Sequence, residues 1–450
     1  MWLIMLVTAA VALAVAAIRS YQVRSDACRR DASRAESERR QQRQQAEKLV
    51  REAASFFPFV QEQLRAGLEN GGSAEDVLSA ALTASAGVRL GEARITLRGT
   101  EIGFPAVWSS GERQKGGYLV GRTGSGKTTL LVRCVKSNID SGDGVAVIAP
   151  ERELFVETLL PLCADRAEGT IYYCPGDPSC PIYLGLLATE PGEDRARCAA
   201  EAYNALATVM GPETVGARTG PILANALTVL VGRRGSTLLD IKRMFEDRTF
   251  RDAVVRESAD EYARDFWTRI YPTYPANAHV PAVNKLDEFL RYSHLRRALC
   301  TPGNLSIRRA LAEQRVLLVD LGGLDATSTL LLGQLVLGRV QVELMRRERM
   351  PTEKRTRFYL YCDEFQVTAG VAQESWRALL SRGRRYGLAV TLAHQFPSQV
   401  PTPVRDEILS NVSSVVAFSL GPRTLTPYAK SSYAVRRATV QSVRFRSKPW

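Results

Sequence analysis

Between residues 118 and 420 the sequence alternates short apolar runs with longer stretches in which apolar residues recur every three or four positions. The runs lie at 118–120, 144–150, 170–174, 315–321, 358–362, 388–393 and 412–420. They have the length of strands and little polar alternation, so they predict strands covered on both faces. Strands separated by helical patterns predict an α/β fold, a parallel-rich sheet with helices on either side. The series is interrupted at 194–311 by mainly helical pattern, with turn signals at Gly211-Pro212 and Thr301-Pro302-Gly303-Asn304. This reads as a helical insertion.

Upstream, helical patterns at 56–68 and 74–84 flank Gly71-Gly72, and a β-like lead-in covers 93–107. Residues 25–52 are dense in Arg, Glu, Gln and Ala with no apolar face wide enough for a core, which predicts a solvated helical stalk. Residues 2–18 carry no charge and stop abruptly at Arg19. That length lies near the lower end of the roughly 17–25 residues that cross a bilayer as a helix. A cleaved signal is the rival, but its positive leading segment is missing. Arg19, Arg24, Arg29 and Arg30 follow, and positive charge beside a span faces the cytoplasm. The expectation is a single-pass inner-membrane protein in seven parts: an anchor at 1–19, a stalk at 20–70, a lead-in at 71–115, a first core segment at 116–193, the insertion at 194–311, a second core segment at 312–427 and a basic tail at 428–450.

The run at 118–120 leads into Gly121-Arg122-Thr123-Gly124-Ser125-Gly126-Lys127-Thr128, followed by the helix-like Thr129-Leu130-Leu131-Val132. A glycine-rich turn between strand and helix aims backbone N–H groups and the positive helix end at phosphates. In this pattern Lys127 reaches the β/γ oxygens, the Thr128 hydroxyl ligates Mg2+, and the loop through Thr129 holds the nucleotide. The run at 358–362 ends in Asp363-Glu364, the form of a Walker B strand. Asp363 is the candidate for the Mg2+ shell and Glu364 for polarising the attacking water. Together the two motifs predict an ATPase with a RecA-like P-loop core, using ATP and Mg2+.

Charge adds a partner. With 60 Lys and Arg against 47 Asp and Glu, the net charge of +13 points to nucleic acid or an anionic membrane face. After Glu407 no acid follows, while Arg423, Lys430, Arg436, Arg437, Arg444, Arg446 and Lys448 lie among Tyr428, Tyr433, Phe445 and Trp450. Basic and aromatic residues so interleaved suit backbone contact plus base stacking, and equally suit a solvated tail. The eight cysteines form no C-x-x-C pair, and His279, His294 and His394 are scattered, which argues against a His/Cys metal site and for reduced structural thiols.

Four segments then follow in order: Val316-Leu317-Leu318-Val319-Asp320-Leu321, Tyr361-Cys362-Asp363-Glu364-Phe365-Gln366, Leu380-Ser381-Arg382-Gly383-Arg384-Arg385-Tyr386-Gly387-Leu388 and Leu392-Ala393-His394-Gln395. Over roughly residues 115–427 the chain resembles the FtsK/HerA superfamily of DNA-pumping ATPases, in particular the coupling proteins of conjugative type IV secretion. The resemblance implies a homo-oligomeric ring, usually a hexamer, that moves DNA, with secretion or relaxosome proteins as partners. It also implies that Gln395 is the polar sensor of the γ-phosphate and that Arg384 is an arginine finger, with Arg382 and Arg385 as neighbouring alternatives. Ala149-Pro150-Glu151 departs from the family's usual Asp-Pro, so the contact made by that aspartate is absent or replaced. Two other functions stay open: powering protein export or pilus assembly, and a non-hydrolysing scaffold that uses nucleotide only to assemble.

Overall fold

The computed structural model describes residues 87–97, 100–369 and 373–418, with scattered positions between 19 and 44. The expected anchor, most of the stalk, the patterns at 56–68 and 74–84 and the basic tail lie outside the described residues. Among the described residues no helix is long and apolar enough to cross a membrane. In the stalk, Arg40 donates to Glu36 one helical turn away at 3.2 Å, both side chains exposed.

The chain divides into two compact units, Met1–Val107 with Ala429–Trp450 and Trp108–Tyr428. The β-like lead-in expected at 93–107 covers the end of strand β1 (Gly87–Leu97) and most of β2 (Thr100–Ser109), which pair in a two-stranded sheet. The second unit holds a seven-stranded sheet of β3 (Gly117–Gly121), β4 (Gly144–Ala149), β5 (Thr170–Tyr173), β6 (Val316–Asp320), β7 (Phe358–Cys362), β8 (Leu388–His394) and β9 (Ser414–Phe418). Their spatial order is β5-β6-β4-β7-β8-β3-β9, and every neighbouring pair is parallel. The five inner strands are buried at every position, whereas the outer β5 and β9 are partly open. Continuous apolar runs are what a sheet covered on both faces requires.

Helix α1 (Lys127–Asp140) follows β3 and buries Leu130, Leu131, Cys134, Val135, Asn138 and Ile139, spacings of three and four that form one face. The region expected as a helical insertion runs as helices from α2 (Arg195–Met210) to Ile307–Ala312. It docks on α3 (Ala326–Arg346), which is buried along most of its length. Small residues permit the close approach: Ala199, Ala202 and Ala205 of α2 are buried, and a Cβ added at Gly338 of α3 would lie 2.9 Å from the Glu201 carboxylate. Beneath α1, the buried Arg113 donates to the Cys134 carbonyl at 3.2 Å and to Ser137 Oγ at 3.1 Å. These bonds offset part of the cost of burying the guanidinium, whose Nε has no hydrogen-bond partner among the described residues.

Candidate active site

The phosphate loop stands at the carboxyl ends of the strands. Gly124 and Gly126 hold positive φ values of 73° and 103°, conformations that a side chain would strain. Gly126 is the N-cap of α1 and no side chain caps that end, so the first N–H groups of the helix are left for a ligand. Lys127 is buried, with Nζ donating to the Arg122 carbonyl at 3.3 Å, and Ser125 Oγ is buried without a hydrogen-bond partner among the described residues. Both are polar groups that a bound phosphate would satisfy. Arg122, Thr123 and Thr129 are exposed on the rim of the loop.

The stem of the loop is close-packed. A Cβ on Gly121 would lie 2.5 Å from the Phe418 carbonyl oxygen of β9, nearer than any real contact. Gly121→Ala is therefore expected to destabilise the fold by about 1–3 kcal/mol and to weaken nucleotide binding. Denaturant unfolding checks this, and a wild-type midpoint would rule out the crowding.

Across the loop, Thr128 Oγ1 donates to Asp363 Oδ2 at 2.8 Å, so the hydroxyl and carboxylate expected at the Mg2+ shell are already together. Asp363 is buried, and burial lifts its carboxyl above the usual range against the pull of the Thr128 hydroxyl and the Glu364 amide. A cation beside it would restore the ionised form. Among the described residues no group of three or more His, Cys, Asp or Glu side chains is set to hold a metal alone. Mg2+ keeps waters and substrate phosphates in its shell and takes one or two protein ligands, a number that Thr128 and Asp363 could supply.

Glu364 occupies the left-handed region at φ 46°, unusual for a residue with a side chain. Its N–H donates to Asp363 Oδ1 at 3.0 Å, Gln395 Nε2 donates to its Oε1 at 3.2 Å, and Gln366 Nε2 donates to its Oε2. Two amides thus hold the carboxylate. The strand order explains how. Because β8 lies between β3 and β7, Gln395 just past β8 emerges between the phosphate loop and the two acids. The N–H of Phe365 donates to the Ala393 carbonyl of β8 at 3.2 Å and draws the acid turn toward that strand.

Arg384 is placed elsewhere. It lies in the turn Gly383–Tyr386 that precedes β8, at the amino edge of the sheet. The seven residues of β8 set the two edges about 20 Å apart, farther than an arginine side chain extends. Arg384 lines a cavity of about 200 Å³ with Arg355, Arg357 and Arg385. Arg355 is committed to the carbonyls of Glu348, Met350 and Arg385, while Arg382, Arg384 and Arg385 are exposed.

Two features went unread in the sequence. Glu151, after β4, has its carboxyl raised by partial burial and by the nearby Asp363 and Glu364, so an acid stands near the site one position after the family's Asp-Pro. His394, without a role by spacing alone, is fully buried beside Gln395. The signal for it was a polar ring at the end of an apolar strand.

No protein-family model and no curated protein matches the chain. Solved structures do match. The plasmid coupling protein TrwB in complex with the non-hydrolysable GTP analogue GDPNP aligns with a TM-score of 0.50 at 17% identity, over 76% of this chain and 78% of that one. The fold is similar to that of TrwB. TrwB in complex with ADP and Mg2+ aligns with a TM-score of 0.49 at 17% identity, over 76% of this chain and 78% of that one. VirB4 of Thermoanaerobacter pseudethanolicus aligns with 0.49 at 14% identity, over 76% and 87%. At such identities the likeness is one of fold alone.

Proposed function

We propose that the protein is a Mg2+- and ATP-dependent DNA translocase of coupling-protein type, anchored in the inner membrane by residues 2–18 and working as a ring, usually of six copies, in conjugative transfer or mobilisation. The observation that carries the enzymatic part is the convergence of Thr128, Asp363, Glu364 and Gln395 at the phosphate loop. The backbone of 121–128 and Lys127 bind the β- and γ-phosphates, and Thr128 with Asp363 would hold Mg2+. When bound, the ion neutralises charge on the phosphate oxygens. Glu364, oriented by Gln366 and Gln395, accepts a proton from the attacking water. Gln395, which donates to Glu364 at 3.2 Å, would sense whether the γ-phosphate is present.

DNA as the cargo rests on the net charge of +13 and on the shared fold. Basic residues that neutralise DNA phosphates release counterions, so affinity falls steeply as salt rises. Phosphate release by the protein, and by a variant lacking residues 1–20, is therefore expected to rise several-fold with DNA at low salt and to lose that rise between about 50 and 200 mM. Equal rates with and without DNA, over several DNA forms, would shift the reading to protein export. Absence of any phosphate release would shift it to a nucleotide-dependent scaffold.

A further inference from the structure

His394 is the last residue of β8, pairs in register with Val120 of β3 and has no exposed surface. Its Nε2 shares a hydrogen bond with the hydroxyl of Tyr118, a fully buried residue in the strand that becomes the phosphate loop. The two rings also stack at 5.3 Å. On its other side the imidazole meets the ring of Phe365 edge-on at 5.0 Å, and Phe365 follows Glu364 directly. Phe365 in turn rests edge-on against the buried Trp376 at 5.9 Å. One side chain therefore touches the stem of the phosphate loop and the residue behind the second acid, and adjoins the amide that holds that acid.

An apolar ring would fill this space at lower cost. Burial and the neighbouring Lys127 push the His394 imidazole down to about 4, so it is neutral at physiological pH and contributes a hydrogen bond rather than a charge. A buried polar group that makes a specific bond fixes one arrangement of its neighbours, which volume alone does not.

We propose that His394 is a positioning residue that fixes the Glu364–Gln395 pair relative to the phosphate loop by joining Tyr118 of β3 to Phe365 beside the acids. The proposal rests on the ATPase reading above. It assigns to the Tyr118–His394 bond the distance between the bound γ-phosphate and the carboxylate that activates water, a distance on which turnover depends steeply.

The test compares Tyr118→Phe, His394→Phe, the double variant and His394→Gln. Phosphate release gives kcat and KM, a fluorescent ATP analogue gives equilibrium affinity, and thermal unfolding reports folding. The expected result is a fall in kcat of about ten-fold or more in each Phe variant, with KM and analogue affinity unchanged. The double variant should be no worse than the poorer single one, because both remove the same bond. His394→Gln, which keeps a polar group near the Nε2 position, should recover part of the rate. Tyr118→Phe removes only an oxygen and keeps the test decisive if His394→Phe is unstable. Wild-type kcat in Tyr118→Phe would overturn the proposal, as would losses that multiply in the double variant or appear equally in KM. A wild-type protein without turnover would instead remove the ATPase reading, and the proposal with it.

Discussion

Glu364→Gln is expected to bind nucleotide as the wild type does and to lose turnover by about 10²–10⁴-fold, the usual range for removing a general base. The amide keeps the shape of the carboxylate but cannot take a proton from water. The surroundings of Glu364 sharpen the expectation. Its backbone is held at φ 46°, its N–H is bonded to Asp363, and the amides of Gln366 and Gln395 engage its two oxygens. A residue so restrained has little freedom to serve as a general surface acid. Lys127→Ala should behave differently and lose affinity and turnover together, since a phosphate contact serves the ground state and the transition state alike. Equilibrium binding of a fluorescent analogue beside single-turnover phosphate release separates the two patterns. Wild-type turnover in Glu364→Gln would take the residue out of the base role.

Arg384→Ala is expected to abolish ATPase activity by about 10³-fold or more, as loss of an arginine finger does, and to regain part of it when mixed with Lys127→Ala. The geometry demands that any such role be exercised on another copy. Arg384 lies at the amino edge of the sheet and the phosphate loop at the carboxyl edge, so its own nucleotide is beyond reach. In a mixed ring some interfaces pair an intact phosphate loop from the Arg384→Ala subunit with an intact Arg384 from the Lys127→Ala subunit. Only those hydrolyse ATP. Two variants that co-assemble yet stay inactive would remove Arg384. Recovery with Arg382→Ala or Arg385→Ala in its place would move the role to that exposed neighbour, and recovery with none would end the shared-site idea.

The elements of the sheet were legible because each inner strand is covered on both faces and so must be apolar throughout. The runs at 144–150, 315–321, 358–362 and 388–393 match β4, β6, β7 and β8 to within a residue. The helical insertion was legible for a related reason, since amphipathic spacing and turn residues persist through it without a strand-like run. The lead-in was only half seen. Its first strand begins at Gly87, ahead of the expected 93, where the polar Arg89 and Glu92 dilute the apolar pattern.

The chemical inventory was readable from local sequence: a glycine-rich loop whose glycines take positive φ, a lysine and a threonine at its end, and two acids after an apolar strand. Those features are local, because backbone conformation and strand burial leave their mark within a few residues. Tertiary structure alone decided the arrangement. The insertion of β8 between β3 and β7 sets Gln395 against Glu364, the turn at φ 46° aims that carboxylate, the edge on which Arg384 lies excludes it from its own site, and the packing of β3 on β8 joins Tyr118 to His394 across 276 residues of chain. Strand order is a choice among long-range pairings that similar apolar runs satisfy almost equally well. It is settled by the packing of the whole sheet, which no short stretch of sequence records.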